Sequence, residues 1–357
     1  MRNLQYVILL VLILVTNGIT QDSTNTTEKN QSNISISFAI EITADVEQEY
    51  FPVIAKLLSE GYKHSYIEGL VIWHLHNLVK DSVKIVLSCE VLEWVPPVIT
   101  TVYLAPLESK QVAQTPFGKQ LLNNRSTSPA TVLLQVKSSN EILFEETRNI
   151  KIRPTDDMIW SLRYPWDSKE LIAAWVTPKD EAVEEILARA KEKVFNRTLA
   201  GYLGSNLLAE LKAIFNAVRN AKVSYVNSSM SFGEIGFTQR IRTPKESIRQ
   251  RSANCIDGAV LFASLFENIG LEPLIVLLPG HAIVGVRAAP NSQEAWFIET
   301  TLVGRNIMES VITFQTTFDA AIEQGTKVYS DALQKDPTNV YILDIKKIRK
   351  QGIYPLW

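Results

Sequence analysis

The sequence predicts an α+β chain in two parts: an antiparallel β-sandwich of immunoglobulin-like type, followed by a domain that mixes helices and strands. Three observations lead there. Between Ser35 and Ile152 the chain breaks into short extended runs separated by turn-forming or charged residues, with no sustained helical period. Around Arg153–Asp167 the composition changes (RPTDDMIWSLRYPWD) and amphipathic helices follow. Beyond these, one almost wholly apolar helix is succeeded by three apolar extended segments.

The 357 residues, 46% hydrophobic and 21% charged, suit a globular chain of two domains. A net charge of −2, without a Lys/Arg cluster interleaved with aromatics, argues against a nucleic-acid groove. The chain opens MRNLQYVILLVLILVTNGIT, with Arg2, an apolar run from Tyr6 to Val15, and Gly18 and Thr20 placed for cleavage before Gln21. Residues 1–20 therefore read as a signal peptide, and the protein as secreted or extracytoplasmic. The run is shorter than the roughly 20 apolar residues of a spanning helix. An uncleaved anchor, with the run stretched to Ile19, is the second choice and the one route to membrane contact.

Residues 21–34 are polar and aperiodic, a disordered spacer. Asn25, Asn30, Asn33, Asn124, Asn196 and Asn227 open N-x-S/T sequons, which matter only in a host that glycosylates exported chains. Export also permits a disulfide between the two cysteines, Cys89 and Cys255, although they fall in different domains. Cys89 lies in an alternating run and reads as a small buried hydrophobe.

The sandwich spans 35–152, with extended runs SISFAIEI, YIEGLVIWHLHNL, SVKIVLSCEV, VITTVYL, ATVLLQVK and EILFEETRNIKI, and a weak helical period near Tyr50–Leu58. His74 and His76 share one face of a strand, as a chelating pair would. No third His or Cys and no clear carboxylate partner is evident beside them, so surface or packed histidines are the favoured reading and no metal is implied.

In the second part, Thr177 reads as an N-cap with Pro178 at the first helical position, ahead of Val183, Ile186, Leu187 and Ala190 on one face. SNLLAELKAIFNAV repeats the pattern with Leu207, Leu208, Leu211, Ile214, Phe215 and Val218. Thr243 and Glu246 form a T-x-x-E capping box for a shorter helix. RSANCIDGAVLFASLFENIG then places Asn254 as N-cap, Asp257 three residues on, Cys255 as the first helical residue, and Gly270 as the stop. A thiol there faces unpaired N–H groups and the positive end of the helix dipole, which both stabilise thiolate.

A nucleophilic thiol needs a base, and His281 is the sole histidine outside the first domain. It follows a buried strand and a Pro279-Gly280 turn, and so opens the next strand. AWFIETT, carrying Glu299, lies beyond a polar loop. An antiparallel register pairing His281 with Glu299, with a connection from about Arg287 to Gln293, turns both side chains to one face. Each residue also has an ordinary structural role open to it: a packed thiol, a histidine bonded to a turn carbonyl, and a glutamate paired with Arg287 or Arg305.

The blocks R-x-x-N-C-x-D-x-x-x-L-F-A-S-L-x-x-x-x-G-L-E-P, P-G-H-A-x-V-G-V and W-F-I-E-T-T together resemble the transglutaminase-like superfamily, over roughly 161–357. The resemblance implies a papain-like core with Cys255 as nucleophile, His281 as base and Glu299 as orienting carboxylate. Ala253 stands where many relatives have Gly, and Glu299 replaces the commoner Asp. The oxyanion donors are the Cys255 N–H and, as candidates, the side-chain amides of Gln239 or Gln250.

The implied activity is thiol-dependent acyl transfer from peptide or protein amides, cell-envelope polypeptides among them, through a thioester: a peptidase, an amidase or a transglutaminase. No calcium loop of spaced acids is present, and the chemistry requires no cofactor. The alternative is an inactive polypeptide-binding module of the cell surface.

Overall fold

A computed structural model describes residues 30–31, 35–37, 39–139, 141–227, 235–304, 306–309 and 312–356. The expected signal segment, most of the expected spacer, the sequons at Asn25 and Asn33, and Arg305 lie outside these residues. The architecture is mixed α and β with several sheets.

The first part contains strands β1 (Ile40–Val46), β2 (Val71–Asn77), β3 (Val83–Val91), β4 (Val95–Leu104), β5 (Ser109–Gln114), β6 (Ser128–Ser138) and β7 (Glu141–Ile152). One five-stranded sheet runs β1-β2-β5, with Asn30–Gln31 and Ser35–Ser37 both paired to β1. The other runs Glu49–Tyr50, β7, β6, β3, β4. Alternate residues of both sheets, such as Ile42, Trp73, Leu87 and Leu134, enter a common core. Cys89 is wholly buried there on β3, opposite Leu134 of β6.

Several sequence expectations shift locally. Run 35–42 is two strands rather than one, because Ser35–Ser37 folds back to pair with Ile40–Ile42. Asn30–Gln31, inside the expected spacer, pairs with Val46 and Asp45, since the margin of β1 offers it backbone partners. β4 begins earlier than expected and contains Pro96 and Pro97, which an edge strand tolerates. β5 is too polar to stand out in the sequence. Asn124 is buried, and its amide donates to the Arg153 carbonyl at 3.0 Å, so this sequon is not presented to solvent.

Helix α1 (Pro52–Ser59) joins the two parts. Tyr50 and Ala55 belong to the first core, whereas Phe51, Val53, Ile54 and Leu57 belong to the second. The second part adds β8 (Asp157–Ile159), β9 (Thr238–Arg240), β10 (Pro273–Leu278), β11 (His281–Arg287), β12 (Ala295–Ile298) and β13 (Tyr341–Asp344). Its helices are α2 (Glu181–Lys191), α3 (Leu207–Asn220), α4 (Pro244–Gln250), α5 (Cys255–Asn268), α6 (Phe318–Lys335) and α7 (Ile345–Lys350).

An antiparallel sheet β12-β11-β10-β13 supports α5, which is buried continuously from Cys255 to Phe266. β8 pairs with β9, and Ser224–Tyr225 pairs with Ser252–Ala253 just ahead of α5. Helix α2 starts later than expected. Asp180, not Thr177, caps it, its Oδ1 accepting from the Ala182 N–H at 2.9 Å; the Thr177 N–H bonds Ser264 Oγ of α5. On α3 the buried face holds Leu211, Ile214, Phe215 and Val218, while Leu208 is exposed. Among the described residues no helix is long and apolar enough to cross a membrane.

Candidate active site

Asn254 and Asp257 cap α5 reciprocally. Asn254 Oδ1 accepts from the Asp257 N–H at 2.9 Å, and Asp257 Oδ2 accepts from the Asn254 N–H at 3.1 Å. This box makes Cys255 the first residue of the helix, wholly buried. Gly258, one turn along, allows close packing, since a Cβ there would lie 2.6 Å from Thr300 Oγ1. The helix start is thereby pressed against the turn that follows Glu299.

His281 opens β11 after Gly280, whose φ of +69° makes the turn that a side chain would strain. The expected cross-strand pairing of His281 with Glu299 is corrected. The ladder runs from Arg287↔Ala295 to Val284↔Ile298, and Glu299 lies one residue past its end. The displacement is two residues, and a period-two strand keeps the same face under such a shift. The long glutamate side chain closes the gap: Glu299 Oε2 accepts from His281 Nε2 at 2.7 Å.

Glu299 is held from both sides. Its Oε1 accepts from the Thr301 hydroxyl at 2.7 Å and the Thr301 N–H at 3.1 Å, while its own N–H donates to the Ala321 carbonyl of α6 at 2.9 Å. Gly325 lets α6 approach this closely, because a Cβ there would lie 2.6 Å from the Phe297 carbonyl oxygen and 2.8 Å from the Glu299 nitrogen.

The imidazole of His281 also hydrogen-bonds Cys255. With Nε2 on Glu299, Nδ1 is the nitrogen left for the thiol. Burial pulls the imidazole down, but the bonds to Cys255 and Glu299 and their charges outweigh it and push His281 up to about 10. Burial pushes the Glu299 carboxyl up; the His281 bond and charge and the Thr301 bonds overcome this and hold it below its ordinary value. Cys255, an imidazolium and a carboxylate are thus joined in one chain of contacts.

The two glutamines differ. Gln239 is buried on β9; its Oε1 accepts from Trp160 Nε1 at 3.1 Å, and its Nε2 has no acceptor among the described residues. Arg242, three residues on, is bonded to Asp257, which ties this segment to the start of α5. Gln250 is exposed at the end of α4, and its Oε1 accepts from Arg242 Nε at 3.0 Å.

The clamp of Arg242 on Asp257 and the grip of Thr301 on Glu299 were not among the sequence-derived candidates. Thr301 carries a local signal, a hydroxyl two residues after the carboxylate; Arg242 carries none, since its partner lies 15 residues away. Glu299 does not pair with Arg287, which bonds Asp344 at 2.7 Å.

The histidines of the first part have local partners. His74 bonds Asp45 and Gln111, and His76 bonds Ser109. No metal-holding cluster occurs among the described residues. Ser168 lies 3.3 Å from His64 Nε2, but the Tyr66 N–H donates to Nδ1, so Nε2 carries the proton and cannot take one from the serine. The two cysteines are not joined in a disulfide: both are buried, in separate cores. No family model matches the chain, and no curated protein matches it.

Proposed function

We propose that this protein is an exported, thiol-dependent acyl-transfer enzyme of transglutaminase-like type, in which an immunoglobulin-like sandwich precedes a papain-like catalytic domain. One observation carries the reading: His281 Nε2 bonds Glu299 Oε2 at 2.7 Å while the same imidazole bonds Cys255 at the start of a buried helix. Nucleophile, base and a carboxylate that orients the base together form the triad arrangement that activates a thiol.

In the proposed cycle the Cys255 thiolate attacks the carbonyl carbon of a peptide or protein amide. The tetrahedral oxyanion is stabilised by the Cys255 N–H and Gln239 Nε2. The C–N bond then breaks, the imidazolium of His281 gives its proton to the leaving amine, and a thioester remains. Water, deprotonated by His281, releases the acid, or a primary amine releases a new amide; either step returns Cys255. Glu299 orients the ring and stabilises its charged form.

The full burial of Cys255 favours a second reading, an inactive module that binds polypeptide at the cell surface. A peptide library incubated with and without a primary amine, and followed by mass spectrometry for cleavage and amine incorporation, separates the two. Turnover that is lost in folded Cys255→Ala supports the enzyme. Binding that persists in Cys255→Ala without turnover in either protein supports the module. Export is tested by N-terminal sequencing: a start near Gln21 supports it, and intact Met1 in a membrane pellet supports an anchor.

A further inference from the structure

We propose that Arg242 is a positioning residue whose guanidinium neutralises Asp257, and so keeps the first turn of α5 able to hold a thiolate at Cys255. The inference rests on the thiol-enzyme reading above and adds a charge device to it.

Asp257 sits in the same turn as Cys255, two residues on, and is wholly buried. Besides closing the capping box, its Oδ1 accepts from the Arg242 N–H and its Oδ2 from Arg242 Nη1, each at 2.8 Å. The guanidinium is itself largely covered and is steadied by Gln250 Oε1 on Nε at 3.0 Å. Gln250, itself exposed, thus acts on this turn through Arg242.

The need for such a group follows from counting charge. A helix N-terminus supplies roughly half a positive charge. Here it must serve two anions within one turn, the Asp257 carboxylate and the Cys255 thiolate. His281 adds one positive charge, but Glu299 already balances it. Arg242 therefore provides the remaining full positive charge beside Asp257. Farther out, Arg240 interacts with Asp257 but is bonded to Asp156 at 2.7 Å and also feels Glu246. Burial pushes the Asp257 carboxyl up against the pull of its bonds with Arg242, so losing Arg242 leaves a buried carboxylate to repel the thiolate or to take a proton.

The test is the rate of Cys255 alkylation by iodoacetamide across pH on the full chain, read by peptide mapping, with Cys89 in the sandwich core as internal control. Relative to wild type, Arg242→Gln is expected to slow alkylation by about tenfold near pH 6 while leaving the rate above about pH 9 unchanged. Arg242→Lys should retain most of the rate. Asp257→Asn should speed the reaction near pH 6, and Arg242→Gln combined with Asp257→Asn should return it close to wild type, because the charge is again balanced.

A purely architectural role predicts slowing by both single substitutions and no recovery in the pair. Such a result overturns the proposal, as does an unchanged rate in Arg242→Gln. If Arg242→Gln does not fold, Asp257→Asn decides alone: faster alkylation supports the proposal and slower alkylation overturns it. Wild-type Cys255 reacting near pH 6 no faster than a free cysteine sinks both this inference and the thiol-enzyme reading. A fast wild type with no response to Arg242 sinks this inference only.

Discussion

His281 and Glu299 are hydrogen-bonded at 2.7 Å although they are not cross-strand partners. The last paired residue of β12 is Ile298, opposite Val284, and Glu299 reaches back toward the beginning of β11 from beyond the ladder. The reach depends on the second methylene of glutamate. Glu299→Asp should therefore lose the direct bond, and turnover is expected to fall by about tenfold, with the protein still folded. Glu299→Gln keeps the length but not the charge, and should lower kcat by roughly 10³–10⁴-fold while leaving a measurable residue. Steady-state kinetics of the two variants checks this; full activity in Glu299→Asp would remove Glu299 from the orienting role.

The pH dependence has a defined sign. His281 is raised to about 10 from an ordinary 6.5, so its contribution to folding stability is complete below about 6.5 and is lost as pH rises through about 10. Glu299 is lowered, so its contribution is present above the ordinary carboxylate value and lost as pH falls through the depressed one. The Tm difference between wild type and His281→Ala should therefore shrink steadily from about pH 6.5 to about pH 10. A difference that widens over that window would show that the imidazolium is not stabilised by its two partners.

Gln239 and Gln250 should separate cleanly under substitution. Gln239 presents a buried Nε2 that has no acceptor among the described residues and an Oε1 bonded to Trp160, whereas Gln250 lies exposed against Arg242. Gln239→Ala is expected to cost about 10²–10³ in kcat with little change in KM, as loss of an oxyanion donor does. Gln250→Ala should cost several-fold at most, acting through Arg242. Equal effects on kcat would leave neither glutamine as the donor.

What was legible in the sequence was local. The reciprocal cap of Asn254 and Asp257 and the T-x-x-E box at Thr243 use residues three apart, so their spacing alone places the starts of α5 and α4. The pairing register of β11 with β12 was misread by two residues, yet the faces came out right, because the side-chain period is two. The Thr177-Pro178 pair does not start α2; Asp180, three residues on, takes the cap by accepting from the Ala182 N–H. Arg242 on Asp257, α1 divided between two cores, and α6 lying against Glu299 are long-range contacts that no short motif announces.

Gly325 on α6 offers the most direct test of how the carboxylate is placed. Within a helix, alanine is ordinarily favoured over glycine by about 1 kcal/mol. Here an added Cβ would meet the Phe297 carbonyl oxygen at 2.6 Å, its carbon at 2.7 Å and the Glu299 nitrogen at 2.8 Å. These are backbone atoms of β12 and its end, not the tips of flexible side chains, so they cannot yield without moving the strand or the helix. Steric cost should outweigh helix propensity, and Gly325→Ala is expected to lower stability by roughly 1–3 kcal/mol. The strain has a direction. Moving α6 away breaks the bond from the Glu299 N–H to the Ala321 carbonyl, and with it one of the restraints on the carboxylate that orients His281. Turnover should therefore fall further than the loss of folded protein explains, whereas Glu323→Ala, on an exposed position of the same helix, should leave both Tm and kcat near wild type. A Gly325→Ala protein with unchanged Tm and unchanged kcat would mean that the close approach of α6 does not set the position of Glu299.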